Sequence, residues 1–477
     1  SMRYGRTSII HFLSRLVMSF SGFVATIILT RTLGQNQYGT YVVVLSVLAW
    51  TTMAAQFGLP QAIRKRVSEE TEGNYVLSGA AIQFILYSIL ALTLWAGRPY
   101  INDFVGVDAA LVLILMLAAR LTVNLVQNIL DGQHLVHVSS VLIPVEWTSR
   151  TLVQVTLVVS SFGIAGAFAG YIVGAIVAAL IGSYFLTVPR TMPSRREVSN
   201  LKSFAQFSWL GSIKNRAFQS MDTLILAVFV SHSLIAVYEV AWNLASLFAI
   251  FGSSISRTLF PEMSSISATE GNKSKISGLL RVSLAYAGLF IIPGLVGGAL
   301  VGDVILTIYG RGFETGYYIL LVLTFARLLY GYAGQFVNTI DALDHPNLTF
   351  YINAAFVGTN LALNVALTWK FGWYGAAAAT TVSSGIALLG GYHFASQLID
   401  VTIPVAEIAK QCLAAIVMAA LVEAGRLVLG STLPIVIALV IFGGGVYFAV
   451  LILLSEEFRT MVVDNLPFDS PLLQYAR

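Results

Sequence analysis

Charge is what this sequence has least of. Only 10% of its 477 residues are Asp, Glu, Lys or Arg, against 57% hydrophobic residues, whereas a soluble surface carries roughly 25–35% charged side chains. With a mean hydropathy of +0.80, most of the chain is expected to have lipid as its solvent. Cysteine is almost absent: Cys412 is the one thiol, so no intramolecular disulfide forms and the residue reads as a small side chain in an apolar run. The histidines and this cysteine make no ligand-spaced set, and no glycine-rich phosphate loop is present, so neither a metal nor a cofactor is expected. Long polar loops are missing too. None exceeds about 20 residues, too little for the catalytic part of a membrane glycosyltransferase or polymerase, and an enzyme is not expected. The formal charge of +4 lacks the basic patch interleaved with aromatics that nucleic acid would require. A cleaved signal peptide is not expected either, because the first apolar stretch is too long and runs on into a second.

Apolar runs are what remains, and a bilayer-spanning helix needs about 20 such residues. Cutting at glycine, proline and charge clusters gives fourteen spans: 8–31, 38–59, 76–96, 109–130, 140–161, 164–188, 204–230, 234–258, 278–301, 315–340, 348–369, 374–398, 405–427 and 433–454. Loops on the amino-terminal side carry Arg3, Arg6, Arg64, Lys65, Arg66, Arg190, Arg195, Arg196, Lys202, Arg257, Lys273 and Lys275. The opposite loops carry Arg31, Arg98, Arg311, Lys370 and Arg426. By the positive-inside rule both termini are cytoplasmic, in a multi-pass protein of a prokaryotic cytoplasmic membrane.

The spans repeat. Thr26-Ile27-Ile28-Leu29 lies over Thr223-Leu224-Ile225-Leu226 and Tyr41 over Tyr238; with a shift of about ten residues, Ala119-Arg120-Leu121 lies over Ala326-Arg327-Leu328. Gly163-x-x-Gly166-Ala167 then lies over Gly372-x-x-Gly375-Ala376. The expected architecture is therefore all-α, with two six-helix lobes of the same orientation, 8–188 and 204–400. A cytoplasmic linker spans 189–203, two extra helices occupy 405–454, and a cytoplasmic tail spans 455–477.

Polar residues inside such spans need a reason. Arg15, Arg120, Arg150, Lys214, Arg216 and Arg327 fall at membrane depth. At about 2.5–3.5 kcal/mol for each basic residue at a helix centre, six facing lipid would cost about 15–20 kcal/mol, more than the roughly 5–15 kcal/mol net stability of a typical fold. They are expected to face a partner or water. Glu146 and Arg150, four apart on one helix, are a candidate structural pair. At about 100° per residue, Ser8, His11, Arg15, Ser19, Gly22 and Thr26 form one stripe, and Ser208, Ser212, Asn215, Gln219 and Asp222 another, flanked by Lys214 and Arg216. Glu239, Asn243, Ser246, Ser253 and Arg257 form a third. These stripes fit a cavity between lobes, with Arg15, Asp222 and Glu239 sharing it. Arg120 and Arg327, with the polar residues that follow them, fit either a cavity wall or helix bonding within a lobe.

Three segments carry a family resemblance: Arg31-Thr-Leu-Gly-Gln-Asn-Gln-Tyr-Gly39, Met221-Asp222-Thr-Leu-Ile-Leu-Ala with Ala236-Val-Tyr238, and Gly372-Trp-Tyr-Gly375-Ala-Ala-Ala-Ala. Over roughly residues 5–400 the chain resembles the polysaccharide-transport branch of the multidrug/oligosaccharidyl-lipid/polysaccharide exporter superfamily. The resemblance implies twelve core helices in two lobes plus two more, alternating access, and a lipid-diphosphate-linked oligosaccharide as cargo. It also implies diphosphate binding by a basic residue of the first helix, a role that falls by position on Arg15. Arg31, near the outer end of that helix, fits either cargo release or capping of the helix C-terminus.

The residue chemistry agrees with anionic cargo. Guanidinium and ammonium groups bind diphosphate, giving Arg15, Arg31, Arg120, Lys214, Arg216 and Arg327 as candidate ligands, with Asn215, Gln219 and Asn243 for sugar hydroxyls. Asp222 and Glu239 are candidates for gating or for coupling to a proton or sodium ion. A drug or organic-cation exporter of the same superfamily is the rival, but its cavity would be dominated by acids. The expected partners are a polyprenyl-diphosphate-linked oligosaccharide, membrane lipid and proteins of polysaccharide assembly.

Overall fold

The computed structural model describes residues 2–69, 73–269 and 272–465, and their side chains except at 2–20, 206–215, 217–219, 251, 254, 257, 258, 261, 262, 268, 269 and 463–465. The helices in chain order are α1 (Met2–Gln56), α2 (Leu59–Ser68), α3 (Tyr75–Ala96), α4 (Arg98–Val105), α5 (Ala110–Gly132), α6 (Val136–Leu157), α7 (Gly163–Tyr184), α8 (Arg195–Phe229) and α9 (His232–Phe248). They continue as α10 (Ile250–Thr269), α11 (Lys273–Ala287), α12 (Ile291–Leu306), α13 (Tyr317–Ala342), α14 (Pro346–Phe371), α15 (Trp373–Leu398), α16 (Val405–Leu429), α17 (Leu433–Leu454) and α18 (Glu456–Asn465). No strand occurs among the described residues. Nine helical stretches there are long and apolar enough to cross a membrane, and the stretches Ser21–Gln56 and Val136–Tyr184 are each longer than one crossing requires. The chain is a multi-pass membrane protein.

Where two expected spans follow closely, backbone breaks divide them. Gly34 interrupts α1 with φ 74° and ψ 173°. Gly163 separates α6 from α7 with φ 59° and ψ −143°, and Gly372 separates α14 from α15 with φ 61° and ψ −140°. A left-handed φ of this kind is open to glycine without a Cβ penalty. The matching glycines thus build the same corner in each half.

The repeat extends beyond its landmarks. On α7 the small residues Gly166, Gly170, Gly174, Ala178 and Gly182 are buried at every fourth position. On α15 Gly375, Ala379, Ser383, Ala387 and Gly391 do the same. Such a stripe lets two helices approach closely: a Cβ on Gly375 would lie 2.0 Å from the Leu367 carbonyl oxygen, and one on Gly170 would lie 2.2 Å from Gln154 Cγ. The ends of α5 and α13 match as well. His134 and Asp344 have φ of 61° and 62°, and the next residues close six-residue turns, Leu135 N to Leu130 O at 2.9 Å and His345 N to Ile340 O at 3.2 Å.

By packing, the chain divides into Ser1–Val237 and Tyr238–Arg477, so α8 packs with the first unit although it opens the second sequence copy. In the first unit, Ala119, Val123 and Leu130 of α5 meet Leu142 of α6 and Ala175 and Ala178 of α7. The linker between the two sequence copies is docked within this unit. Asn74, 1% exposed, donates its side-chain amide to the carbonyls of Pro189 and Thr191, both at 2.9 Å. Its backbone N–H donates to Glu197 Oε1 at 3.2 Å, while Glu197 Oε2 accepts from Ser194 N at 2.8 Å and from the Ser194 hydroxyl. Ser194 and Glu197 form the capping box that starts α8.

In the second unit, α16 and α17 pack on α11 and α12. Ala285, Tyr286, Leu289 and Ile292 share one buried cluster with Met418, Val422, Leu439, Tyr447 and Leu451. The Tyr447 hydroxyl donates to Leu289 O at 2.9 Å and Gln411 Nε2 to Ala285 O at 2.6 Å. The two extra helices are therefore part of that unit's core.

Candidate anion-binding site

The glycine stripe of α7 positions a polar cluster within the first unit. A Cβ on Gly174 would lie 2.7 Å from Arg150 Cβ and 2.8 Å from Glu146 O, so α7 rests directly on the turn of α6 that carries both residues. One position after the stripe residues stand Ala167, Ala175 and Ala179, but Tyr171, 6% exposed, follows Gly170 and brings a phenol into this contact.

Arg120 of α5 donates Nε to the Tyr171 hydroxyl at 2.7 Å and Nη1 to Glu146 Oε2 at 3.3 Å, and Nη2 bonds Glu146 Oε1. The pair is largely buried, with side-chain exposures of 20% and 7%. Both Glu146 oxygens are engaged by Arg120, so the pairing of Glu146 with Arg150 expected from sequence does not form. Spacing of four places two residues on one face but does not set which neighbour across the helix interface competes for them.

Arg150 has other company. Its Nη2 donates to the Tyr41 hydroxyl at 2.7 Å, an oxygen that also accepts from Gln154 Nε2 at 2.8 Å. Its guanidinium carbon lies 4.4 Å from the Tyr171 ring centre and 4.9 Å from that of Trp147. The Arg120 guanidinium lies 5.0 Å from the same Tyr171 ring. Arg216 of α8, half-buried, is within electrostatic range of Tyr171 and Arg120. Two guanidinium groups thus meet one tyrosine ring, one of them paired with a carboxylate.

The second unit treats its matching arginine differently. Arg327 of α13 stacks on Trp242, 3.8 Å from its ring centre, and bonds the Ser246 hydroxyl. Ser246, read from sequence as a cavity residue, therefore serves Arg327 within the unit. One turn back, Asn243 donates to Glu239 Oε1 at 3.4 Å, and both are accessible. Asp222 is half-buried and Arg31 exposed. The side chains of Arg15, Lys214, Asn215 and Gln219 lie outside the described residues.

Sequence reading passed over one polar group. Asn360 and Asn364 of α14 and Thr380 and Ser383 of α15 are all buried, at 3%, 0%, 2% and 0% exposure, and Asn360 donates to Ser383 Oγ at 3.1 Å. The signal was two asparagines four apart on one face of an apolar helix. Among the described residues there is no group of three or more His, Cys, Asp or Glu able to hold a metal ion.

A family model described as "Polysaccharide biosynthesis protein" matches residues 4–267. The chain is 29% identical over 468 residues to a Haloferax volcanii protein named "Probable flippase AglR", covering 96% of this chain and 98% of that one. It is 25% identical to "Probable low-salt glycan biosynthesis flippase Agl15" of the same organism, covering 98% and 99%. In fold it resembles a structure of "Lipid II flippase MurJ, inward closed conformation", with TM-score 0.76, 14% identity and coverage of 93% of this chain and 100% of that one. An inward-facing multidrug resistance MATE family transporter of the MOP superfamily aligns with TM-score 0.60 at 16% identity, covering 80% and 95%.

Proposed function

The chain belongs to the polysaccharide biosynthesis protein family, and on that premise we propose that it is a flippase moving a lipid-diphosphate-linked oligosaccharide from the cytoplasmic to the outer leaflet. It is a transporter, not an enzyme: its full-length relatives carry flippase names.

The observation that carries the cargo class is the excess of guanidinium over carboxylate around Tyr171. A charge at membrane depth is costly and persists where it does work on an ion, and a fixed basic site in low dielectric favours an anion that matches it. Diphosphate takes bidentate guanidinium contacts. Asn215, Gln219 and Asn243 supply partners for sugar hydroxyls, and the lipid tail stays in the bilayer. We assign Arg15, Lys214 and Arg327 to the same anionic path, Arg31 to release at its outer end, and Asp222 and Glu239 to gating or coupling with a proton or sodium ion. The cycle is alternating access of two lobes, 8–188 and 204–400, through fourteen crossings, with both termini cytoplasmic in a prokaryotic cytoplasmic membrane. An organic-cation exporter shares the fold class, but a cluster dominated by arginine repels its cargo.

Reconstitution in proteoliposomes with defined lipid-linked oligosaccharides tests the proposal. Glycan supplied on one face should become accessible to a lectin or glycosidase on the other, faster than in protein-free vesicles. Equal rates with and without protein, together with uptake of a cationic dye, would replace this function by the exporter.

A further inference from the structure

We propose that the start of α11, in the second unit, is a binding site for a phosphate ester, and that its counterpart in the first unit is the same site closed by the protein's own carboxylate.

The sequence repeat pairs the two places. Thr71-Glu72-Gly73-Asn74 lies over Thr269-Glu270-Gly271-Asn272, and both asparagines cap a helix. Asn74 Oδ1 accepts from Leu77 N at 2.9 Å to open α3, and Asn272 Oδ1 accepts from Lys275 N at 3.2 Å to open α11. In the first copy the helix start is filled: the Glu197 carboxylate accepts from Asn74 N at 3.2 Å, a negative charge where unpaired N–H groups and the helix dipole favour one. Glu407 holds the matching place after the second copy, since each is the third residue of the next helix, α8 or α16. It is turned elsewhere, its two oxygens accepting from Lys410 Nζ at 2.7 Å and Ser455 Oγ at 2.5 Å.

At the start of α11 lies a cavity of about 520 Å³ instead, lined by Lys273, Ser274 and Ser277 of α11, Gln397 of α15, and Asp400 and Thr402 of the connection to α16. The first turn of α11 has no acidic residue and carries Lys273 and Lys275, a placement that opposes the dipole until an anion sits there. Lys273 forms no ion pair among the described residues. The Ser277 hydroxyl is buried without a hydrogen-bond partner, a deficit that an incoming acceptor removes. Ammonium, hydroxyl and helix N–H groups together suit phosphate, while Asp400, Gln397 and Thr402 suit hydroxyl groups on the alcohol it esterifies. Lys273 also begins the stretch Lys273–Tyr309, long and apolar enough to cross a membrane, so the cavity stands at the level of lipid headgroups.

The phosphate could come from a lipid headgroup or from a soluble ester, and the test separates the two. The full-length chain in detergent is melted with phosphatidylglycerol in mixed micelles, with phosphatidylcholine in the same micelles, and with glycerol 1-phosphate. Phosphatidylglycerol should raise the melting temperature saturably and phosphatidylcholine should not. Glycerol 1-phosphate acting as strongly would assign the site to a soluble ester; a weaker or absent effect assigns it to the lipid headgroup. Lys273→Gln should raise the concentration for a half-maximal shift at least about tenfold, the loss of one charge-assisted hydrogen bond. Thr402→Glu, which gives the second copy a carboxylate of its own, should raise the ligand-free melting temperature and abolish the shift. The exposed Lys202→Gln serves as control.

No shift with either phosphate ester, or a wild-type half-maximal concentration in Lys273→Gln, overturns the proposal. If that variant fails to fold, Thr402→Glu decides, since a full shift there also overturns it. None of these readouts involves transport, so they stand or fall separately from the flippase function.

Discussion

Glu146 gives both carboxylate oxygens to Arg120, across the α5–α6 interface, and none to Arg150 one turn along its own helix. This choice of partner separates Arg120, ion-paired across the helix interface, from Arg150, held by two aromatic rings and a phenol.

The first prediction concerns that pair. Removing one partner of a buried ion pair leaves the other charged and unsatisfied, at about 3–5 kcal/mol. Arg120→Met should therefore lower the melting temperature strongly, and Arg120→Met/Glu146→Met should recover most of the loss. Additive losses in a double-mutant cycle of thermal melts would show that the two act independently.

Gly375 gives the second. A methyl there meets backbone, 2.0 Å from Leu367 O, so Gly375→Ala must part α14 from α15 and should cost more than the about 1–3 kcal/mol of ordinary overpacking. Gly358, where a Cβ meets open space, should accept alanine with unchanged expression and melting. Comparable melting of the two variants would refute the close contact.

The glycine stripes show how much could be read in advance. Gly163-x-x-Gly166 and Gly372-x-x-Gly375 were visible as a repeat because a left-handed corner and a backbone contact each admit almost nothing but glycine. The helices were visible because membrane spans are continuous apolar runs. Arg120, Arg216 and Arg327 were visible because charge in such a run is conspicuous. Their roles were not. Whether Glu146 turns to Arg150 or Arg120 depends on rotamers and on the neighbouring helix, which spacing along one helix does not encode. Arg120 and Arg327 occupy matching positions, yet one meets a carboxylate and the other an indole. Asn360 and Asn364 escaped notice because amides in an apolar run carry no charge to mark them.

A third prediction follows from the docked linker. The Ser194 hydroxyl, foremost, and backbone N–H groups hold the Glu197 carboxyl down at about 2, from the usual 4.5. A depressed carboxylate adds stability that is fully present above its unfolded value and is lost as pH falls through the folded one. Wild type should thus melt above Glu197→Gln at pH 6, with the gap closing as pH falls from 4.5 toward 2. A gap independent of pH would exclude this role for the charge.

The carboxyl-terminal helices supply the fourth. Arg281 and Glu457 are paired at 3.0 Å but each is more than a third exposed, so Glu457→Ala should cost less than about 1 kcal/mol. Tyr447 is fully buried and bonded to Leu289, so Tyr447→Ala should cost about 3–5 kcal/mol. Thermal melts in one detergent rank the two, and a larger loss for Glu457→Ala would contradict the packing of α17 as the dominant contact.

The central claim is that the cargo crosses as an anion. About two negative charges moving outward gain about 2.3 kcal/mol each per 100 mV when the cytoplasmic side is negative. In proteoliposomes with a potassium–valinomycin potential and no pH or sodium gradient, flux of a lipid-diphosphate-linked glycan should accelerate toward the positive side and slow when the potential is reversed. Flux that ignores the sign of the potential would contradict the account.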